Sequence, residues 1–183
     1  MYEVELKVRA DHGAVRAALD SLGADELGSV EQADTYYDPP HRDFAETDEA
    51  LRIRRERRGG DEVVELTYKG PLVDAESKTR EEHRTVVTDG EATARILDGL
   101  GFGPAAEVRK HRERFELDGF TVVLDRVEGL GEFVEVETVT TEDRVPTARD
   151  DARDLLETLG LDPEDQIRTS YLGMLLASGD SQQ

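Results

Sequence analysis

Glu3, Glu5 and Lys7 stand two residues apart at one end of the chain, and Glu135 and Glu137 repeat the carboxylate pair near the other. Between them fall Arg52 and Arg54, Lys69, Arg80 with Glu82, and Lys110 with Arg112 and Arg114. Side chains two apart in a β-strand share a face, so each group puts its charge on one side of one strand, and several carry a single sign. Faces turned to plain solvent ordinarily mix signs. Clustered Arg and Lys suit phosphate oxygens, Arg through bidentate hydrogen bonds and Lys as a compact point charge. Clustered carboxylates suit Mg2+ or Mn2+, hard cations that bind oxygen and bridge to phosphates. Both clusters in one place imply a metal-polyphosphate complex. Arg55 and Arg109 are out of step with these series and read as surface residues, whereas Glu82, on the Arg80 face, reads as a carboxylate that orients a basic neighbour.

The elements that must position these groups are mostly strands. Val4, Leu6 and Val8 alternate with Glu3, Glu5, Lys7 and Arg9, which predicts the first strand. Further strands are predicted at 29–38, 50–58, 62–69, 80–88, 106–117, 120–127 and 132–140, with Gly59-Gly60-Asp61, Asp118-Gly119 and Glu128-Gly129-Leu130-Gly131 as turns. Helices are predicted at 12–22, capped by Asp11 and stopped by Gly23, and at 90–100, 147–159 and 168–177. A polar excursion links 38 to 50, a loop carries Lys78, and 178–183 reads as a polar tail after one domain spanning 1–177.

Eight strands with charge sorted onto one face predict an α+β fold: a closed eight-stranded antiparallel barrel whose lumen is charged and whose apolar outer wall lies under helices. Val4, Leu6, Leu51, Ile53, Val134 and Val136 then point outward and the charges line a tunnel. A dry lumen of this kind is untenable, because like charges at close range in low dielectric cost many kcal/mol. It must hold water, ions and an anionic ligand.

The composition bounds the remaining classes. The chain has 183 residues, a net charge of −20, 37% hydrophobic content and no Cys. That acidity argues against nucleic acid and anionic membranes as partners, since both require exposed clusters of Lys and Arg. Without Cys there is no disulfide, thiolate metal site or thiol nucleophile. With no basic-then-apolar N-terminal segment and no 18-residue apolar run, signal peptide and membrane span are unsupported and a cytoplasmic location is expected. Nineteen of the 23 basic residues are Arg, leaving only Lys7, Lys69, Lys78 and Lys110. A carboxylate surface almost free of Lys is what a high-salt cytoplasm selects. Exposed strand edges or helix faces leave a homodimer open.

The motifs carry a resemblance. Glu3-Val4-Glu5-Leu6-Lys7 resembles the ExExK signature of the CYTH superfamily, the triphosphate tunnel metalloenzymes. The superfamily's other segments follow in order: Asp34-Thr35-Tyr36-Tyr37-Asp38, Leu51-Arg52-Ile53-Arg54, Leu66-Thr67-Tyr68-Lys69-Gly70-Pro71, Lys78-Thr79-Arg80-Glu81-Glu82, Val108-Arg109-Lys110-His111-Arg112, Leu124-Asp125, Gly129-Leu130-Gly131-Glu132-Phe133-Val134-Glu135-Val136-Glu137 and Ser170-Tyr171. Among its members the chain is most similar to class IV adenylate cyclases and thiamine triphosphatase-like proteins. The resemblance implies that Glu3, Glu5, Glu135 and Glu137 ligate Mg2+ or Mn2+, that Asp125 completes the metal shell or positions the nucleophile, and that Lys7, Arg52, Arg54, Lys69, Arg80, Lys110 and Arg112 clamp the substrate and serve catalysis.

Two reactions fit such a site. The ATP 3′-hydroxyl attacks the α-phosphorus to give 3′,5′-cyclic AMP and pyrophosphate, or water attacks the terminal phosphorus of thiamine triphosphate, inorganic triphosphate or a nucleotide. A non-catalytic polyphosphate or nucleotide module is the third reading, and the retained carboxylate pairs weigh against it.

Overall fold

The structure is a computed structural model that describes residues 2–72 and 79–180; Lys78 and residues 181–183 lie outside them. In chain order it contains β1 (Tyr2–Arg9), α1 (His12–Leu22), β2 (Asp25–Asp38), α2 (Phe44–Thr47), β3 (Ala50–Arg58), β4 (Asp61–Leu72), β5 (Arg80–Val87), α3 (Gly90–Gly99), β6 (Gly103–Leu117), β7 (Phe120–Val127), β8 (Gly131–Thr140), α4 (Val145–Thr158) and α5 (Tyr171–Asp180). The strands close into an antiparallel barrel in the order β1-β5-β4-β3-β2-β6-β7-β8, with β8 returning to β1 over eight paired positions. Among the described residues the β1–β5 pairing sets Tyr2 opposite Glu81 and Glu3 opposite Arg80.

The barrel is turned inside out, as the alternation predicts. Leu6, Val8, Val134, Val136, Val122, Leu124, Phe115 and Leu117 face outward from β1, β8, β7 and β6 and pack under Val15 and Leu19 of α1 and Ala152, Leu155 and Leu156 of α4. A second outer layer joins Tyr37 and Ile53 to Leu97 of α3. Burying these side chains against helices stabilises the wall by about 1.5–3 kcal/mol for each fully buried one, and it leaves the alternate positions no place but the lumen. A third apolar cluster closes one end: Val108, Val127 and Phe133 meet Tyr171, Leu172, Met174 and Leu175 of α5.

Local signals set the connections. Asp11 accepts a hydrogen bond from the Ala14 N–H at 3.1 Å, and α1 ends at Gly23 with φ 73°. Asp118 and Gly119 both adopt positive φ, 52° and 81°, which suits the two-residue turn between β6 and β7.

Several boundaries differ from the periodicity; β4, for one, runs on to Leu72 rather than ending at 69, and α4 starts at Val145 rather than 147. β2 begins at Asp25 rather than 29, because Gly28 absorbs a bulge and the ladder to β6 resumes with Glu26 opposite Phe115 and Asp25 opposite Glu116. β6 begins at Gly103 rather than 106, since Asp38 still pairs there. The excursion before β3 contains the short helix α2, capped by Asp43 onto the Ala45 N–H at 2.8 Å. α5 starts at Tyr171 rather than 168, because Ser170 caps it through the Gly173 N–H at 3.0 Å, and it continues through Asp180 into the expected tail.

Candidate active site

Lys7, Arg52, Arg54, Lys69, Arg80, Lys110, Arg112 and Arg114 all line the lumen, a cavity of about 570 Å³ that runs from Ser170, Tyr171 and Leu172 at the plugged end to Leu27, Val63 and Val139 at the open rim. Glu3, Glu5, Glu82, Glu135 and Glu137 line it as well. Arg55 and Arg109 do not; they pair outside the barrel with Glu62 and Glu107. Tyr36 faces the lumen, while Tyr37 packs outward in the layer beneath α3.

The lumen is an interlocked network and not a bare positive patch. Asp34 accepts from Arg54 Nε and Nη2 at 2.6 and 2.7 Å and from Arg52 Nη1 at 3.2 Å. Burial pushes the Asp34 carboxyl up, but the Arg52 and Arg54 guanidiniums outweigh it and hold the group well below the usual carboxylate range. Lys69 bridges Glu3 and Glu82, each at 2.7 Å. Burial alone would lower the Lys69 ammonium; Glu3, with Glu82, raises it above its ordinary value. Glu82 falls to about 2, its burial overcome chiefly by Lys69. Arg80 reaches the carboxylate and backbone carbonyl of Asp48 at the end of α2.

A second knot joins β6, β7 and β8. Arg112 donates to both oxygens of Asp125 and, at 2.6 Å, to Glu135, while Lys110 reaches Asp125 at 3.1 Å. These contacts, led by Arg112, overcome burial and hold Asp125 well below its ordinary range. Lys110 is pushed down to about 8, first by burial and then by the Arg112 and Arg54 charges, with Asp125 opposing. Lys7 sits 3.5 Å from Glu5 and 3.8 Å from Glu135.

The remaining feature is a surplus of negative charge. Carboxylate oxygens of Glu5, Glu135 and Glu137 all lie within 4.8 Å of one another. Glu137 has no ion-pair or hydrogen-bond partner among the described residues, and burial, then the neighbouring Glu3, Glu135 and Glu5 charges, raise its carboxyl to about 7. Two oxygens held at about 2.1 Å by one octahedral ion are at most about 4 Å apart, so a small contraction gathers the three around a hard cation. The donor set fits Mg2+ or Mn2+ in kind. Glu3 and Asp125, grouped with these ligands on sequence grounds, stand outside the triad, Glu3 against Lys69 and Asp125 against Arg112 and Lys110.

Sequence reasoning gave no role to several lumen residues. Gln32 and Asp34 follow the period-two face of β2 and were within its reach: they stand opposite Glu56 and Arg54 on β3. Glu56 and Glu65 on β3 and β4 obey the same rule. Asp48 and Glu49 had no such signal, because they follow the helical turn α2 rather than a strand.

The whole set lies within one recognisable span: residues 1–171 match the CYTH domain. The chain belongs to the CYTH family. Members of this family are adenylate cyclase-like or triphosphatase enzymes that act on triphosphates and depend on metal ions. A Methanocaldococcus jannaschii protein whose name places it with the adenylate cyclases is 38% identical over 174 residues, covering 94% of this chain and 97% of its own. The adenylate cyclase CyaB of Aeromonas hydrophila is 29% identical over 173 residues, covering 93% of this chain and 86% of its own. Among solved structures, the PH1819 protein of Pyrococcus horikoshii superposes with a TM-score of 0.90 at 40% identity, over 96% of this chain and 99% of that one. No helix among the described residues of this CYTH chain is long and apolar enough to cross a membrane.

Proposed function

We propose that this chain is a divalent-metal-dependent enzyme that holds a triphosphate in the barrel lumen, with conversion of ATP to 3′,5′-cyclic AMP and pyrophosphate as its leading reaction. One observation carries this reading: the carboxylate triad Glu5, Glu135 and Glu137 and the cationic side chains Lys7, Arg52, Arg54, Lys69, Arg80, Lys110 and Arg112 open onto the same cavity of about 570 Å³. An anion site alone gains nothing from three adjacent carboxylates. The adenylate cyclase names of the Methanocaldococcus and Aeromonas relatives favour cyclisation.

In this reading Glu5, Glu135 and Glu137 hold Mg2+ or Mn2+, which when bound offsets phosphate charge and leaves the phosphorus open to attack. Arg52, Arg54, Lys69 and Arg80 from β3, β4 and β5, together with Lys7 from β1 and Lys110 and Arg112 from β6, bind non-bridging oxygens. Asp34, Glu3 and Asp125 anchor these cations in place, so little reorganisation remains when the substrate arrives. Leu27, Val63 and Val139 form an apolar rim, which suits the organic end of a nucleoside or thiamine triphosphate.

Hydrolysis is the second reading. The same clamp presents the terminal phosphorus to water, and a cavity of about 570 Å³ has room for water beside a triphosphate chain. Incubation in high KCl with Mg2+ or Mn2+ and, separately, ATP, thiamine triphosphate and inorganic triphosphate tests both. Cyclic AMP with pyrophosphate is expected from ATP; orthophosphate in its place selects hydrolysis, and no product from any of the three contradicts the enzyme.

A further inference from the structure

Tyr171 begins α5 at the plugged end of the lumen and is 6% exposed. The Lys7 ammonium lies 4.4 Å from its ring centroid and the Lys110 ammonium 5.0 Å. Half of the lysines in this chain therefore converge on one aromatic ring. We infer that Tyr171 is a positioning residue of the phosphate clamp, its ring being the platform that holds Lys7 and Lys110 at the closed end of the tunnel. This rests on the triphosphate reading of the lumen.

The physical case begins with what the two ammoniums need. Both are nearly buried, at 3% and 6% exposure, and two like charges in one low-dielectric region repel. Each already has carboxylates on one side, Glu5 and Glu135 for Lys7 and Asp125 for Lys110. Another carboxylate would hold them but would also cancel the charge that has to meet phosphate. A ring attracts a cation through its quadrupole and leaves the net charge intact.

The ring itself is fixed. Phe133 meets it edge-on at 5.0 Å, Ser170 caps the helix it begins, and the Ile167 N–H donates to the Lys7 carbonyl at 2.7 Å. That last bond ties the segment before α5 to the strand residue whose side chain the ring receives. The Tyr171 hydroxyl is buried and has no hydrogen-bond partner among the described residues. The ring, not the hydroxyl, makes the contacts, so Phe should replace Tyr and an aliphatic residue should not.

The alternative is a side chain that only fills space among Val108, Val127 and Phe133. The scarcity of Lys makes the distinction measurable, because protein labelled with 13Cε-lysine has four ε-methylene signals. Two of them are expected upfield from the ring current in the ligand-free wild type and in Tyr171→Phe, and back among the others in Tyr171→Leu. Calorimetric titration with inorganic triphosphate and Mg2+ should give Tyr171→Phe within about twofold of wild type and Tyr171→Leu weaker by about tenfold. Unshifted lysines in the wild type, or a Leu variant that binds as wild type does, overturn the proposal; the first result needs no variant to fold. Wild-type protein that shows both shifted signals yet binds no inorganic triphosphate instead overturns the triphosphate reading, and the clamp role with it, while leaving the contact standing.

Discussion

Arg112 and Asp125 face each other across β6 and β7, and the guanidinium donates to both carboxylate oxygens, Nε at 2.7 Å and Nη2 at 2.5 Å. The same guanidinium touches Glu135 of the carboxylate triad. Among the described residues Arg112 thus links Asp125 to the triad, and in the proposed reading Asp125 aims that side chain.

Breaking this pair should be costly, because Asp125→Asn leaves Arg112 and Lys110 buried beside a neutral group. A loss of about 3–5 kcal/mol at pH 7 is expected from urea unfolding. A carboxyl held below its ordinary range contributes stability above that range and loses it as pH falls toward its folded-state value. The gap between variant and wild type should therefore close in strong acid, and a gap independent of pH would contradict the assignment.

Glu137 behaves in the opposite sense. With its carboxyl raised to about 7, the metal-free folded state holds a proton that the unfolded chain has released, so stability falls as pH rises from about 4.5 through 7. Glu137→Gln should raise the metal-free melting temperature at pH 8 by about 3 °C or more and abolish the further rise that Mn2+ gives the wild type. An Mn2+-induced rise that survives in the variant would remove Glu137 from the triad.

Lys110, pushed down to about 8 by burial and the nearby Arg112 and Arg54 charges, sheds its charge in the mildly alkaline range. Affinity for inorganic triphosphate should weaken as pH climbs past about 8. Lys110→Met should bind more weakly at pH 7 and lose that pH dependence; a variant with the wild-type profile would show that another group sets it.

Lys69 touches Glu3 and Glu82 from the strand next to Arg80. Lys69→Ala should weaken binding of inorganic triphosphate by about tenfold and of orthophosphate much less. Equal losses measured by calorimetry would mean that Lys69 is no part of an extended clamp.

Much of this site follows from a period of two. Once Glu5 and Lys7 are set opposite the apolar series Val4, Leu6 and Val8, the β1–β8 register carries the same alternation to Glu135 and Glu137, and sorted charge makes a lumen the economical solution. Pairing within that lumen is another matter. Period two puts Asp34 and Arg54 on inward faces, but the β2–β3 register, which alternation does not report, sets them directly opposite each other. The separation of Glu3 and Asp125 from the triad depends likewise on their pairing with Lys69 and with Arg112 and Lys110, which alternation does not report. Asp48 was out of reach for a different reason: its place beside Arg80 is fixed by the helical turn α2 and a positive φ of 54°, neither of which alternation reports. Tyr171 stood in a recognised motif, yet its role emerges only when α5 folds back over the end of the barrel to Phe133.

The central claim is that carboxylates and cations of one lumen hold a metal and a triphosphate together. Anomalous diffraction at the manganese edge, from crystals grown with Mn2+ and a non-hydrolysable ATP analogue, tests it most directly. A peak among Glu5, Glu135 and Glu137, with the phosphate chain reaching from it to Arg52, Arg54 and Lys69, is the predicted result. Manganese bound outside the lumen, or an analogue bound with its phosphates away from these residues, would contradict it.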